Sequence, residues 1–293
     1  MEVEGAMNSD EVRTRAALIT GASTGIGAAC AIDLARRGWC VFAGVRSTQD
    51  GEALQSRAGK GVTPLLLDVT KPETIAAAAA SIEKTVGGKG LQGLVNNAGI
   101  VVAGPLEFVP PGEIERQFQV NVFGLISVTQ AFLPMIRAVR GRIVLMSSTS
   151  GFWCEPFLGP YAATKHAVEA IGDSLRVELH PWKIKVALVE PGLIRTPIWE
   201  KSRAATTQML ASLPPEASTL YGGPIVSVQA TADKALRLAI GPEHVAKAVR
   251  HALESRRPKT RYPVGIDARL QSALIRIIPD RLRDRLMRWL MKI

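Results

Sequence analysis

The chain has 293 residues, 47% of them hydrophobic, and a formal net charge of +10. The apolar fraction supplies ample core, and no Pro/Gly/Ser-rich linker divides the chain, which favours one α/β domain over two small ones. Half of the charge excess lies in residues 269–293, and aromatic residues do not interleave with basic ones, so the balance excludes a nucleic-acid surface.

Residues 1–13 are polar and acidic, without an apolar run, and read as a disordered tail and not as a secretory signal. The run Ala16-Ala17-Leu18-Ile19-Thr20 predicts a buried strand. Gly21, Ser23, Thr24, Gly25, Ile26 and Gly27 follow, and a helical pattern then runs from Ala28 to Arg37 and stops at Gly38. Strand, glycine turn and helix start are what a pyrophosphate site needs. Glycines let the backbone approach closely, and free amides at a helix N-terminus attract an anion. The spacing is GxxxGxG, not the commoner GxGxxG. Further strands are expected at 40–44, 64–67, 93–96, 141–147, 185–190 and 261–264, with helices between them, including Thr74 to Val86. This gives a Rossmann-type α/β catalytic domain over 14–267 and a helical tail over 268–293. No stretch reaches the roughly 18 apolar residues of a membrane-spanning helix.

Cys30 and Cys40 fall in helix and strand patterns and are expected as buried free thiols, while Cys154 is placed to line a pocket. This usage fits a reducing, cytoplasmic compartment. His166, His180, His244 and His251 form no ligand motif, so no catalytic metal is expected.

The chemistry concentrates at Tyr161-Ala162-Ala163-Thr164-Lys165, with Ser148 thirteen residues upstream. A phenol and an ammonium four residues apart share one helix face. The ammonium is expected to stabilise phenolate and lower the Tyr161 pKa, giving a proton-transfer group near neutral pH. Ser147 is an alternative to Ser148. At the second strand end, Val45 stands where an acid would select NAD by its ribose hydroxyls. Arg46 follows and can pair with a 2′-phosphate, with Ser47 adding a hydrogen bond.

In order and spacing, these motifs resemble the short-chain dehydrogenase/reductase family. The resemblance is carried by Thr20-Gly21-Ala22-Ser23-Thr24-Gly25-Ile26-Gly27, Asn96-Asn97-Ala98-Gly99, Asn121, Ser148, Tyr161 with Lys165, and Pro191-Gly192 with Ile194 and Thr196. It covers roughly residues 14–197 and continues more weakly to about 265. It implies a doubly wound, seven-stranded parallel sheet and hydride transfer between a nicotinamide and an alcohol/carbonyl pair. Tyr161 would be the acid/base, and Lys165 would tune it and bind the nicotinamide ribose. Ser148 would hold the substrate oxygen, and Asn121 would hold a relay water. Asp68 and Val69 would meet the adenine, Asn97, Ala98 and Gly99 would line the cofactor site, and Thr196 with the Pro191-Gly192 backbone would fix the carboxamide. NADP(H) is the expected cofactor, with NAD(H) as the alternative, and a homodimer or homotetramer is expected through helices near 105–135 and 160–180.

Residues 197–224 occupy the place of the family's substrate lid. Trp199, Met209, Leu210, Leu213 and Tyr221, with Phe152, Trp153, Phe157 and Leu158, suggest a large apolar pocket. Length, lid and Val41-Phe42-Ala43-Gly44 look closest to the retinol and hydroxysteroid dehydrogenase branches, so the expected substrate is a hydrophobic alcohol or ketone. A 3-oxoacyl thioester reductase and a non-catalytic cofactor-binding regulator are the alternatives. In the tail, Leu282, Leu286, Trp289, Leu290 and Ile293 recur at helical spacing beside Arg281, Arg283, Arg285, Arg288 and Lys292, and Asp280 is placed to cap that helix. Such a basic amphipathic helix can lie on an anionic membrane or pack on protein.

Overall fold

The computed structural model describes residues 15–275 and 277–293. The tail expected over 1–13 lies outside them.

Seven strands form one parallel sheet: β1 (Ala16–Ile19), β2 (Cys40–Val45), β3 (Val62–Leu66), β4 (Gly93–Asn96), β5 (Arg142–Met146), β6 (Lys185–Pro191) and β7 (Arg261–Val264). Their spatial order is β3-β2-β1-β4-β5-β6-β7, so the direction of winding reverses between β1 and β4. A crevice opens outside the strand ends at such a reversal. All seven expected strands are present, with ends shifted by a residue or two.

Alternation along the strands explains why both sheet faces are apolar. Ala17, Ile19, Val41, Ala43, Val95, Val144 and Val189 point to one face, where they meet Leu34, Val245 and Val249. These partners come from α1 (Gly25–Ala35) and a later helix over Glu243–Glu254. Leu18, Phe42, Leu94, Ile143, Leu145 and Leu188 point to the other face and pack on Ile82, Phe132, Ile136 and Val168. That layer is made by helices over Pro72–Val86, Gly124–Ala138 and Gly159–Glu178. Numbered along the chain, the helices after α1 are α2 (Thr48–Ala58), α3 (Pro72–Val86), α4 (Pro111–Phe118), α5 (Gly124–Ala138), α6 (Gly159–Glu178), α7 (Ile198–Ala211), α8 (Pro215–Leu236), α9 (Glu243–Glu254), α10 (Ile266–Leu274) and α11 (Asp280–Met291).

Three expectations need correction. Helix α4, a π turn over Gln119–Phe123 and α5 form one helical run from Pro111 to Ala138 that is long and apolar enough to cross a membrane. Here Phe132 and Ile136 of that run are buried against the sheet. The segment expected as a lid to 224 is two helices, α7 and α8, and the second continues to Leu236. Asp280 does not cap α11: it is the first helical residue, and its carboxylate pairs with Arg283 at 2.9 Å. A carboxylate there still favours the positive end of the helix.

Candidate active site

The glycine turn is built by backbone constraints. Gly21 and Gly25 have φ of 63° and 56°, which favours residues without a Cβ. Gly27 is required for a different reason, since a Cβ there would stand 2.3 Å from the Gly21 carbonyl oxygen and 2.6 Å from Asn97 Nδ2. Asn97 Nδ2 donates to the carbonyls of Thr20 (2.9 Å) and Gly21 (3.0 Å), and Thr20 Oγ1 accepts from the amides of Asn97 and Ala98, each at 3.0 Å. The Asn97-Ala98-Gly99 segment is thereby latched to the glycine turn across β1 and β4. The sequence does not single out Thr20 for this task, because a buried hydroxyl at a strand end carries no motif of its own. The loop after β6 closes the same region, with Thr196 lying 3.2 Å from where a Cβ on Gly25 would be. Ile194 bridges to Ile240.

The far side of the crevice is polar. Arg46 and Ser47 are exposed at the end of β2, next to buried Val45. Ser47 also caps α2, its hydroxyl oxygen accepting from the Asp50 amide at 3.2 Å. Burial works to raise the Asp68 pKa. Hydrogen bonds from the Thr70 amide (3.0 Å) and hydroxyl (2.7 Å), with the charges of Arg46 and Lys71, outweigh it and hold the carboxyl below its usual range. Val69 is buried against Gly124, at the start of α5.

Ser148, Tyr161 and Lys165 come together as expected. Ser148 ends the loop after β5, where its hydroxyl bonds to Tyr161 and accepts from the Ser150 amide at 3.2 Å. Ser147 is buried and its hydroxyl lies toward Glu169, so Ser148 and not Ser147 is the serine that meets Tyr161. Lys165 is buried on α6, donates to the Met146 carbonyl at 2.8 Å, and holds its ammonium 5.6 Å from the Tyr161 ring centre.

The electrostatics differ from the expectation of a lowered Tyr161 pKa. Burial pushes Tyr161 up to about 12; the Ser148 hydrogen bond opposes this and the Glu155 charge adds to it. Lys165 is pulled down to about 8 by burial, against the charge of Glu169. Desolvation disfavours both charged forms and outweighs the local pairings. Asn121 is buried next to this cluster and bonded to Thr164 of α6. Its Oδ1 accepts from the Ile100 amide (2.9 Å), and its Nδ2 donates to the Ile100 carbonyl and Thr164 Oγ1 (both 3.0 Å). The side chain therefore ties the segment after Gly99 to α6. It sits in the π turn, a feature often found at functional sites.

Behind the lysine lies a network that no motif announces. Arg261 on β7 bonds to Glu169 at 2.8 Å, to Asp173 at 3.0 and 3.1 Å, and pairs with Glu190 at 3.2 Å. Glu169 stands one turn beyond Lys165 on α6, a spacing the sequence does contain.

A glycine turn at the strand ends and a Ser148–Tyr161–Lys165 cluster on the loop after β5 and on α6 are the arrangement expected of an NAD(P)-dependent oxidoreductase. A family model described as short chain dehydrogenase matches residues 15–207, and the chain belongs to that family. It is 35% identical to an NADPH-dependent 3-dehydrocapnine reductase of Ornithobacterium rhinotracheale, over 93% of this chain and 95% of that one. It is 34% identical to mouse retinol dehydrogenase 5, over 93% and 87%. Among solved structures, a short chain dehydrogenase from Burkholderia cenocepacia in complex with NADP aligns with a TM-score of 0.72 at 26% identity, covering 93% of this chain and 97% of that one.

Proposed function

We propose that the protein uses NADP(H) to interconvert an alcohol and a carbonyl on a hydrophobic substrate, with Tyr161 moving the proton. The carrying observation is the Tyr161 hydroxyl bonded to Ser148 beside the buried Lys165 ammonium. The nicotinamide supplies or accepts the hydride. Ser148 orients the carbonyl oxygen by a hydrogen bond, and Tyr161 donates its proton to that oxygen in reduction. Lys165 holds positive charge beside the phenol. The cradle fits a dinucleotide: Gly21 and Gly25 take the positive φ of the turn, and Gly27 lets the start of α1, whose free amides favour an anion, pack closely on the Gly21 carbonyl and Asn97. Relatives that act on retinol and 3-dehydrocapnine, by their names, support a lipophilic substrate. NADPH and NADH oxidation with retinal, a steroid ketone and an acetoacetyl thioester tests this. Preference for the thioester moves the chain to acyl reduction, and tight NADPH binding without turnover points to a regulator.

Arg46 is the NADP-selecting residue in this reading. A charge-assisted pair with a phosphate contributes about 1.5–3 kcal/mol. Arg46→Ala should therefore weaken NADPH binding about 10- to 100-fold and leave NADH binding nearly unchanged. Fluorescence titration of both nucleotides checks this; equal losses would remove Arg46 from the phosphate site.

The tail favours a membrane surface over protein packing. On α11, Met287 is buried, and the terminal turn reaches α8 through a Ser227 hydroxyl bond to the Lys292 carbonyl. Leu282 (54% exposed), Trp289 (74%) and Ile293 (40%) line up on an uncovered strip. Arg281, Arg285, Arg288 and Lys292 form the neighbouring strip by helical spacing. Apolar area beside cations is what an anionic interface takes. Trp289→Ser should reduce co-sedimentation with phosphatidylserine vesicles several-fold while sparing turnover of a water-soluble ketone. Exposed Phe123 and Val177, on the α5 and α6 layer, support assembly as a homodimer or homotetramer.

A further inference from the structure

We propose that Asp267 is a positioning residue for the nicotinamide: its carboxylate holds Leu193, and with it the loop from Pro191 to Thr196, in the shape that receives the ring. The proposal rests on the reading above, in which a nicotinamide carries the hydride and this loop holds its carboxamide.

The loop leaves the sheet where its ladder ends. β6 and β7 pair as far as Pro191 and Val264, and the Gly192 amide still finds the Val264 carbonyl at 3.0 Å. β7 is the last strand of the sheet and stops there. The next amide, that of Leu193, is left without a strand carbonyl, and a partly buried amide needs an acceptor. Asp267 supplies it: its Oδ2 accepts from the Leu193 amide at 2.7 Å. The acid stands in the first turn of α10, 74 residues further along the chain, where the positive end of the helix favours a carboxylate.

Two glycines make room for that carboxylate. A Cβ on Gly192 or on Gly265 would overlap its atoms. Gly265 also turns the chain from β7 into α10 at a φ of 113°, where a residue with a side chain would be strained. Gly192, Gly265 and Asp267 thus form one fitted contact between the loop after β6 and the start of α10.

The rest of the loop is fastened by other groups. The Leu193 carbonyl accepts from the Ile240 amide at 3.2 Å, and the Arg195 amide donates to the Ile240 carbonyl at 2.8 Å. Trp199 Nε1 donates to the Ile194 carbonyl at 2.9 Å, and Thr196 stands against Gly25 of the glycine turn. Those contacts tie the loop to the segment around Ile240, to α7 and to the cradle. Asp267 acts at its root, directly after Pro191-Gly192. A loop already shaped for its ligand spends less binding energy on ordering. Without the carboxylate the root loosens, and the nicotinamide has to order it on arrival. The adenosine half of the cofactor, in this reading, meets α1 and the ends of β2 and β3, so a nucleotide without the nicotinamide does not register the change.

The test is calorimetric titration of Asp267→Ala with NADPH and with 2′-phospho-ADP-ribose, which lacks the nicotinamide. NADPH should bind about tenfold more weakly than to the unaltered protein, the order of one charge-assisted hydrogen bond, and 2′-phospho-ADP-ribose within about twofold of its original affinity. Asp267→Asn keeps an acceptor of the same size and should restore NADPH binding to within about threefold. Exchange of the Leu193 amide, followed by NMR in the unaltered, nucleotide-free protein, should be slow, a result that needs no variant to fold. Equal losses for the two nucleotides, no loss for either, or fast exchange at Leu193 overturns the positioning role alone. Failure of both nucleotides to bind the unaltered protein overturns the dinucleotide reading and the positioning role with it.

Discussion

Tyr161→Phe should lower turnover by about three orders of magnitude, within the range general acid catalysis contributes, while NADPH binds within a few-fold of its original affinity. The change removes one oxygen from a half-buried ring and keeps the ring's packing. The dinucleotide cradle at Gly21, Gly25, Gly27 and Asn97 lies on other elements and does not lean on the phenol. Single-turnover NADPH oxidation and nucleotide titration separate the two effects. Turnover retained within tenfold would place the proton donor elsewhere. The same environment biases direction. With its pKa pushed up to about 12, Tyr161 is protonated at neutral pH and ready to donate, which suits carbonyl reduction. Alcohol oxidation needs the phenolate and should gain relative to reduction as pH rises. Lys165, pulled to about 8 by burial against the opposing charge of Glu169, loses its own proton over the same alkaline range and limits that gain.

Much of the fold and of the site is legible in the amino-acid sequence. Strand positions follow from short apolar runs, and each motif residue falls at a strand end because a parallel sheet puts its ligand crevice there. Gly27 is readable as a close approach from the glycine pattern, and Ser148 as the partner of Tyr161 from the resemblance to the family. The features that escape the sequence share a physical cause. The sign of the Tyr161 shift depends on how far burial outweighs a nearby charge, and spacing along a helix carries no measure of burial. Arg261 lies 92 residues from Glu169 in sequence, so its ion pairs exist only once β7 joins β6. Asp280 has the chemistry of a cap, yet Pro279 takes that place and moves the acid inside the first turn.

Arg261→Met should destabilise the fold by about 2–4 kcal/mol, toward the lower end of what breaking a buried pair costs because the guanidinium is partly exposed. At this chain length that corresponds to a fall of roughly 5–10 °C in Tm. The guanidinium serves Glu169, Asp173 and Glu190 at once, and Glu190 is only 2% exposed. Methionine fills similar volume but leaves the carboxylates facing one another. Glu169, whose pKa burial already raises against the Arg261 charge, is then raised further. A carboxyl raised in this way favours the fold when protonated, and the benefit is lost as pH climbs through the raised value. The Tm deficit should accordingly be larger at pH 8 than at pH 5.5. Equal deficits at both pH values would mean that Arg261 matters for packing and not for charge. The active site should register the same change. As Glu169 takes up a proton it ceases to support the Lys165 ammonium, so the alkaline limb of kcat/KM for reduction should move to lower pH in the variant, tying the sheet's far edge to the proton donor's neighbour.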